Sequence, residues 1–419
     1  MDRLVINGPA KLSGSVCVSP AKNACLPIMT ACLLNPNPIT LKDMPTLKDV
    51  ETLRNLLESL GVKSEVDQKD IRFDAGTIES TDAEYELVRK MRDSILVLGP
   101  LLARERCAKV SLPGGCAIGT RPIDIHLEGL KKMGAVIDIN SGYVFAKTGT
   151  EGLVGAQIVL PFPSVGATEN LMMAAVLAKG ETTITNAARE PEIEDLGNFL
   201  NAMGAIVEGA GESIIKIQGV HIDKLKSVSY RAIGDRIEAA TYLIAGIITN
   251  SEIEVKGFRT KDIASVCDEL QSMGAVFEVA EDQIVVKKHD EIKGCNVDTA
   301  PFPGFPTDVQ AQMMVLATKA ITSSVIREKI FENRFMHVPE LKRMGANIIK
   351  KGNLAMIEGS ASLSAAPVMC TDLRASAALV LAALAAEGET VISRVYHLDR
   401  GYENLADKLS GLGVDIKRI

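Results

Sequence analysis

The chain has 419 residues, 47% of them hydrophobic and 24% charged, and a formal net charge of −7. That length exceeds what one hydrophobic core usually covers, so two or more domains are expected. The acidic balance argues against nucleic-acid or membrane-surface partners, and no apolar run approaches the roughly 20 residues of a membrane-spanning helix.

Met1–Ile6 lacks the apolar core of a signal peptide. The eight cysteines contain no C-x-x-C pair and the five histidines no H-E-x-x-H pattern. A cytoplasmic protein with reduced thiols, no metal centre and no cofactor is therefore expected.

In chain order, strand-like residues 1–21 lead into an apolar helix beginning near Asn23. An amphipathic helix follows and ends in Leu60-Gly61-Val62. The same pair then recurs. Apolar helices begin near Asp93, Ala167, Arg236, Asp308 and Arg374, and amphipathic ones end at Gly134, Gly204, Gly274, Gly345 and Gly413. From Gly61 onward these glycines are 73, 70, 70, 71 and 68 residues apart. Leucines at three- and four-residue spacing mark the amphipathic helices, and the glycines fit left-handed caps. β-branched stretches such as Val136-Ile137-Asp138-Ile139 read as strands. Helices that are apolar all round belong inside a domain. The chain thus reads as six α/β repeats, three per domain. The N-terminal domain spans 22–232, and 1–21 joins 233–419, with the first strands completing the last unit. The strand signals argue against a purely helical solenoid.

The starts of the apolar helices are polar: Lys22-Asn23, Arg92, Ser164-Val165-Gly166, Asp235-Arg236, Thr307-Asp308 and Asp372-Leu373-Arg374. Ser, Thr, Asp and Asn there are explained by capping. Lys22, Arg92, Arg236 and Arg374 are not, because the helix dipole disfavours cations at that end. Either they are salt-bridged within the fold or they help the free N–H groups hold an anion. The second alternative predicts a cleft between two domains that takes phosphate and carboxylate charges.

The segment Leu112-Pro113-Gly114-Gly115-Cys116-Ala117-Ile118-Gly119-Thr120-Arg121-Pro122-Ile123-Asp124-Ile125 reads as a loop from its glycines and prolines. Cys116 lies at its middle near Arg121, whose charge favours a reactive thiolate. Cys25, Cys32 and Cys107 read instead as small buried hydrophobes.

These segments resemble the enolpyruvyl transferases that act on UDP-N-acetylglucosamine. The resemblance is carried by Ala21-Lys22-Asn23-Ala24, Pro113 to Pro122, and Asn186-Ala187-Ala188-Arg189-Glu190-Pro191. It continues in Phe305-Pro306-Thr307-Asp308, Phe331-Glu332-Asn333-Arg334-Phe335-Met336-His337, Thr371-Asp372-Leu373-Arg374 and His397-Leu398-Asp399-Arg400-Gly401. It implies a two-domain inside-out α/β barrel of six βαβαββ repeats. It also implies transfer of the enolpyruvyl group of phosphoenolpyruvate to the sugar 3′-hydroxyl, with release of phosphate. Lys22, Arg121 and Arg400 would hold phosphoenolpyruvate. Asn23, Arg92, Arg121, Pro122, Ile123, Asp124, Ile125, Ser164, Val165, Gly166, Asp308 and Ile330 would contact the nucleotide sugar. Arg334, Asp372 and Arg374 join the candidate substrate contacts, although Asp372 and Arg374 also suit a structural ion pair. Asp308 would accept or orient the hydroxyl proton, and its place also suits a helix N-cap. The sister enzymes acting on shikimate 3-phosphate carry an L-G-N-A-G-T segment that this chain lacks.

Cys116 would be the loop thiol alkylated by fosfomycin. Its unperturbed pKa of about 8.5 leaves proton donor, adduct former and release gate all open. A Cys116→Asp variant separates them in a turnover assay with and without fosfomycin. Retained activity with resistance means that proton transfer or gating suffices, and an inactive variant means that thiol chemistry is required.

Overall fold

The computed structural model describes residues 2–112 and 123–419. Cys116, Arg121 and Pro122 lie outside the described residues. The six apolar stretches form helices buried on all sides. Residues Lys22–Ala31, Leu98–Glu105, Val165–Ala175, Arg236–Ile248, Gln310–Thr318 and Leu373–Ala385 are their α-helical parts. All 13 residues of Arg236–Ile248 are buried. Two of these helices are entered through 3-10 turns, at Arg92–Val97 and Thr307–Val309.

Small residues let the backbones approach. At Gly99 a Cβ would meet Asn170 Oδ1 at 2.2 Å, and at Gly246 it would meet Ile253 Cγ1 at 3.0 Å. A chain without Trp and with only 4% aromatics packs its helices this closely through Ala and Gly.

Among the described residues the strands form six four-stranded sheets. Each repeats one plan, shown by residues 157–218. Gln157–Val159 runs parallel to Glu181–Thr185 across a buried helix. Antiparallel Ile214–Gln218 and then Ile206–Glu208 complete the sheet. Burial alternates along Ile214–Gln218, so one face covers helices and the other meets solvent. Helices therefore lie inside and sheets outside, as the βαβαββ expectation holds.

Contacts divide the described chain into two compact units, residues 20–112 with 123–233, and residues 2–19 with 234–419. Each has its own hydrophobic core. One expectation for residues 1–21 needs correction. Arg3–Gly8 does complete the sixth sheet, between Gly388–Ser393 and Ile416–Arg418. Ser13–Cys17 instead pairs with Glu252–Lys256 in the fourth sheet. Two short strands in one segment serve different repeats because the bend between them redirects the chain.

Where the chain passes between units, Ser19 is held by all its polar groups. Its N–H donates to Glu238 at 2.8 Å and its hydroxyl to Glu403. Lys408 donates to the same hydroxyl at 2.9 Å, and the Ser19 carbonyl accepts from Asp235 N–H at 2.8 Å. Among the described residues, no helix is long and apolar enough to cross a membrane.

All six periodic glycines have φ between +92° and +107°. A side chain there is strained, and at Gly204 a Cβ would also lie 2.6 Å from the Lys224 carbonyl. Gly142 has φ +80° with nothing within 4 Å. Gly142→Ala is expected to destabilise by about 1 kcal/mol from backbone strain alone. Gly204→Ala adds the clash, so thermal melting should show the larger fall in Tm for Gly204→Ala.

Candidate active site

In the unit of residues 20–112 and 123–233, Lys22 opens its helix with no side-chain cap before it. Its ammonium lies 3.1 Å from Asp49 Oδ2, and both side chains are nearly buried. Asp49 sits in the first turn of Lys48–Ser59, where a carboxylate also suits the helix dipole. Sequence reading missed Asp49, which looked like one more charge on an amphipathic surface. Asn23 follows Lys22 and is half-buried.

Arg92 and Gly166 both lie near a residue not singled out in the sequence, His126, which follows Asp124 and Ile125 in the chain. Ile123 is buried just before the Asp124–Lys132 helix, Asp124 is exposed in its first turn, and Ile125 is half-buried. The His126 ring lies against Gly166, and Arg92 is close enough to act on its charge. Ser164 caps Val165–Ala175, its hydroxyl accepting from Ala167 N–H at 3.4 Å. Val165 and Gly166 form the first, half-buried turn.

In the other unit, Asp308 stands between two arginines. Arg334 donates to Oδ1 at 2.7 Å and Arg374 to Oδ2 at 2.9 Å. Both guanidiniums are 4% exposed, and the carboxylate is 24% exposed. Burial raises the Asp308 pKa, but Arg374 and Arg334 outweigh it and hold the carboxyl well below the usual range. Arg374 also lies over the Tyr402 ring, 5.5 Å from its centre.

Two sequence expectations change here. Asp308 makes no cap hydrogen bond, because its oxygens face the arginines. Asp372 does not take the Arg374 guanidinium. It caps Leu373–Ala385, accepting from the backbone N–H groups of Arg374 and Ala375, both at 3.0 Å. Of the four cations at helix starts, Lys22 and Arg374 thus have carboxylate partners within their own units. Arg236 is buried and lies over the Phe302 ring.

Glu328 organises the rest and was also missed. One oxygen accepts from Ile330 N–H, Phe331 N–H and Thr299 Oγ1. The other accepts from Thr307 Oγ1 at 2.8 Å. One buried carboxylate so fixes both the Ile330 turn and the residue beside Asp308. Arg400 ends the 3-10 turn Val395–Arg400 and is half-buried. Cys107, read as buried, is exposed near Thr81, at the first position of its strand. Among the described residues no cluster of His, Cys, Asp or Glu could hold a metal ion.

Comparison with known proteins agrees with this architecture. The family model for EPSP synthase (3-phosphoshikimate 1-carboxyvinyltransferase) matches residues 6–409. The enolpyruvyl transferase NikO from Streptomyces tendae superposes with a TM-score of 0.89 at 24% identity, covering 100% of this chain and 98% of that one. EPSP synthase from Acinetobacter baumannii superposes at 0.77 with 18% identity, covering 100% of both chains. These two likenesses show the fold. UDP-N-acetylglucosamine 1-carboxyvinyltransferases from Rhodospirillum centenum and Maricaulis maris are each 53% identical to this chain, over 100% of it and 99% of the relative. With that identity along its whole length, the chain belongs to the UDP-N-acetylglucosamine 1-carboxyvinyltransferases, within the wider EPSP synthase family.

Proposed function

We propose that this chain transfers the enolpyruvyl group of phosphoenolpyruvate to the 3′-hydroxyl of UDP-N-acetylglucosamine and releases phosphate, the first committed step of peptidoglycan synthesis. The observation that carries the reading is the full-length 53% identity to relatives of that activity. The cytoplasm, where phosphoenolpyruvate is made, is part of the same proposal.

The chemistry is addition followed by elimination. A proton adds to C3 of phosphoenolpyruvate, making C2 electrophilic. The sugar hydroxyl attacks C2 and gives up its proton, forming a tetrahedral ketal. C3 then loses a proton as phosphate leaves. Such a path needs an acid, a base and clamps for anions. Asp308 is the group that meets the hydroxyl. Its carboxylate stays ionised at neutral pH, and each oxygen keeps a lone pair beyond its arginine contact. So low a pKa makes it a weak base toward the resting alcohol. It orients the hydroxyl first and takes the proton as attack on C2 acidifies that oxygen. Lys22 and Arg121 offset phosphate charge, and Arg400 holds the carboxylate. Asp49 keeps the Lys22 ammonium in one place without removing its positive charge from the site. Asn23, Arg92, Ile123 to Ile125, Ser164 to Gly166 and Ile330 contact the nucleotide sugar. Cys116 serves as the loop thiol.

The wider family includes enzymes named for 3-phosphoshikimate, so the acceptor is the point to test. Purified protein mixed with phosphoenolpyruvate and UDP-N-acetylglucosamine is expected to release phosphate, and with shikimate 3-phosphate to release none. No release with the nucleotide sugar would sink the reading. A second expectation concerns Asp308. Removing a buried partner leaves its counter-charges uncompensated, at about 3 kcal/mol. Asp308→Ala should therefore lower stability at pH 7 by about that amount in urea unfolding. Because the native pKa is depressed, this contribution is complete above the ordinary carboxyl pKa of about 4 and is lost as pH falls toward the native value. The gap between wild type and variant should narrow only below pH 4.

A further inference from the structure

Arg374 has a hold besides Asp308. Its guanidinium lies over the Tyr402 ring, 5.5 Å from the centre, and among the described residues its Nη1 has no hydrogen-bond partner. The ring face therefore carries much of the task of fixing this cation. Tyr402 is itself 2% exposed. Its N–H donates to the Leu398 carbonyl at 2.9 Å, which ties it to the turn Val395–Arg400. Gly401 lets that turn come against Leu373, where a Cβ would meet Cδ2 at 2.7 Å.

The Tyr402 hydroxyl is oriented by two buried helices. Thr241 donates its one proton to the Ile237 carbonyl at 2.8 Å. In its 2.9 Å contact with Tyr402 it can then only accept, so the phenol O–H points at Thr241. The phenol oxygen keeps its lone pairs for Gln312 Nε2, at 3.3 Å, and for the charge of Arg374. Gln312 Nε2 also donates to the Asp308 carbonyl at 3.0 Å, and a carbonyl only accepts, so the amide is fixed nitrogen-inward. Thr241, Gln312 and Tyr402 thus connect the backbone of Asp308 to a cation on its carboxylate.

Stability alone does not select this arrangement. Gln312 is fully buried, and among the described residues its Oε1 has no hydrogen-bond partner. An unsatisfied amide oxygen is costly in a core, and an apolar side chain of similar size would pack without that cost. What the three polar side chains provide instead is one fixed place for Arg374.

We propose that Tyr402 is a positioning residue for proton transfer to Asp308. Its ring and its oriented hydroxyl fix Arg374, and Arg374 holds the carboxylate where the acceptor hydroxyl meets it. The proposal rests on the function proposed above. Thr241 acts one step further back, by setting the direction of the phenol proton.

Steady-state kinetics of Tyr402→Phe, Thr241→Val and the double variant test this. Binding sites for UDP-N-acetylglucosamine are counted by calorimetric titration, so that kcat is expressed per folded site. Each single variant is expected to lose about tenfold in kcat per site, the worth of one good hydrogen bond, with both KM values unchanged. The double variant should lose no more than either single one, because the two hydroxyls act as one chain. A kcat per site equal to that of wild type, losses that multiply in the double variant, or KM values that rise as kcat falls would overturn the proposal. If Tyr402→Phe does not fold, Thr241→Val is read against Thr241→Ser, which keeps the hydroxyl, and equal kcat in those two refutes the chain. A wild type that does not turn over UDP-N-acetylglucosamine would instead overturn the functional reading, and this proposal with it.

Discussion

A helix buried on every side can meet a ligand only at its ends. That constraint shapes both units. The sheets cover the helix flanks, and Ala and Gly let neighbouring elements come close to them. What remains is the N-terminal turn, with its unpaired N–H groups and positive dipole end. Every candidate residue in the buried-helix set lies within a residue or two of such a turn. The candidate residues of the buried helices sit there because those helices have no other outlet, while Ile330 and Arg400 stand on other turns.

Positive helix ends with added cations would repel one another without compensation. The structure meets this differently in each unit. Among the described residues Lys22 has one carboxylate partner, the buried Asp49. Arg334 and Arg374 share Asp308, which leaves that trio with a net positive charge. Sharing keeps the arginines in place before any ligand arrives, so less ordering is lost when one binds. It also keeps Asp308 ionised, which makes the same contact structural and chemical at once.

How far the sequence could be read depended on whether a signal was local. The buried helices were legible because their apolar runs are continuous, and the repeat because its glycines need positive φ at a fixed place. Lys22, Asp308 and Arg374 were legible as oddly charged helix starts. Their partners were not. Asp49 follows Lys48 on an amphipathic helix, and Glu328 lies between Arg327 and Lys329, so both look like solvent-facing charge. Only tertiary packing turns each inward. His126 had no signal at all, since its ring packs against Asn170 and Gly166, some 40 residues on. The guanidinium of Arg374 passed over its sequence neighbour Asp372 because that carboxylate caps the helix backbone.

The placement of Arg3–Gly8 has a consequence for how the chain is made. The described residues between 20 and 233 form three sheets of their own and can complete them as they emerge from synthesis. The other unit cannot. Its sixth sheet pairs Arg3 with Ser393 and Leu4 with Arg418, so the first strand waits for nearly the whole chain. Contacts of such sequence separation carry a large loop-closure penalty and form late. Meanwhile Arg3–Gly8 is an apolar strand with two unpaired edges, the kind of segment that seeks other partners. Completion of the second unit, and with it the setting of Asp308, is therefore the step at which this protein is most exposed to misassembly.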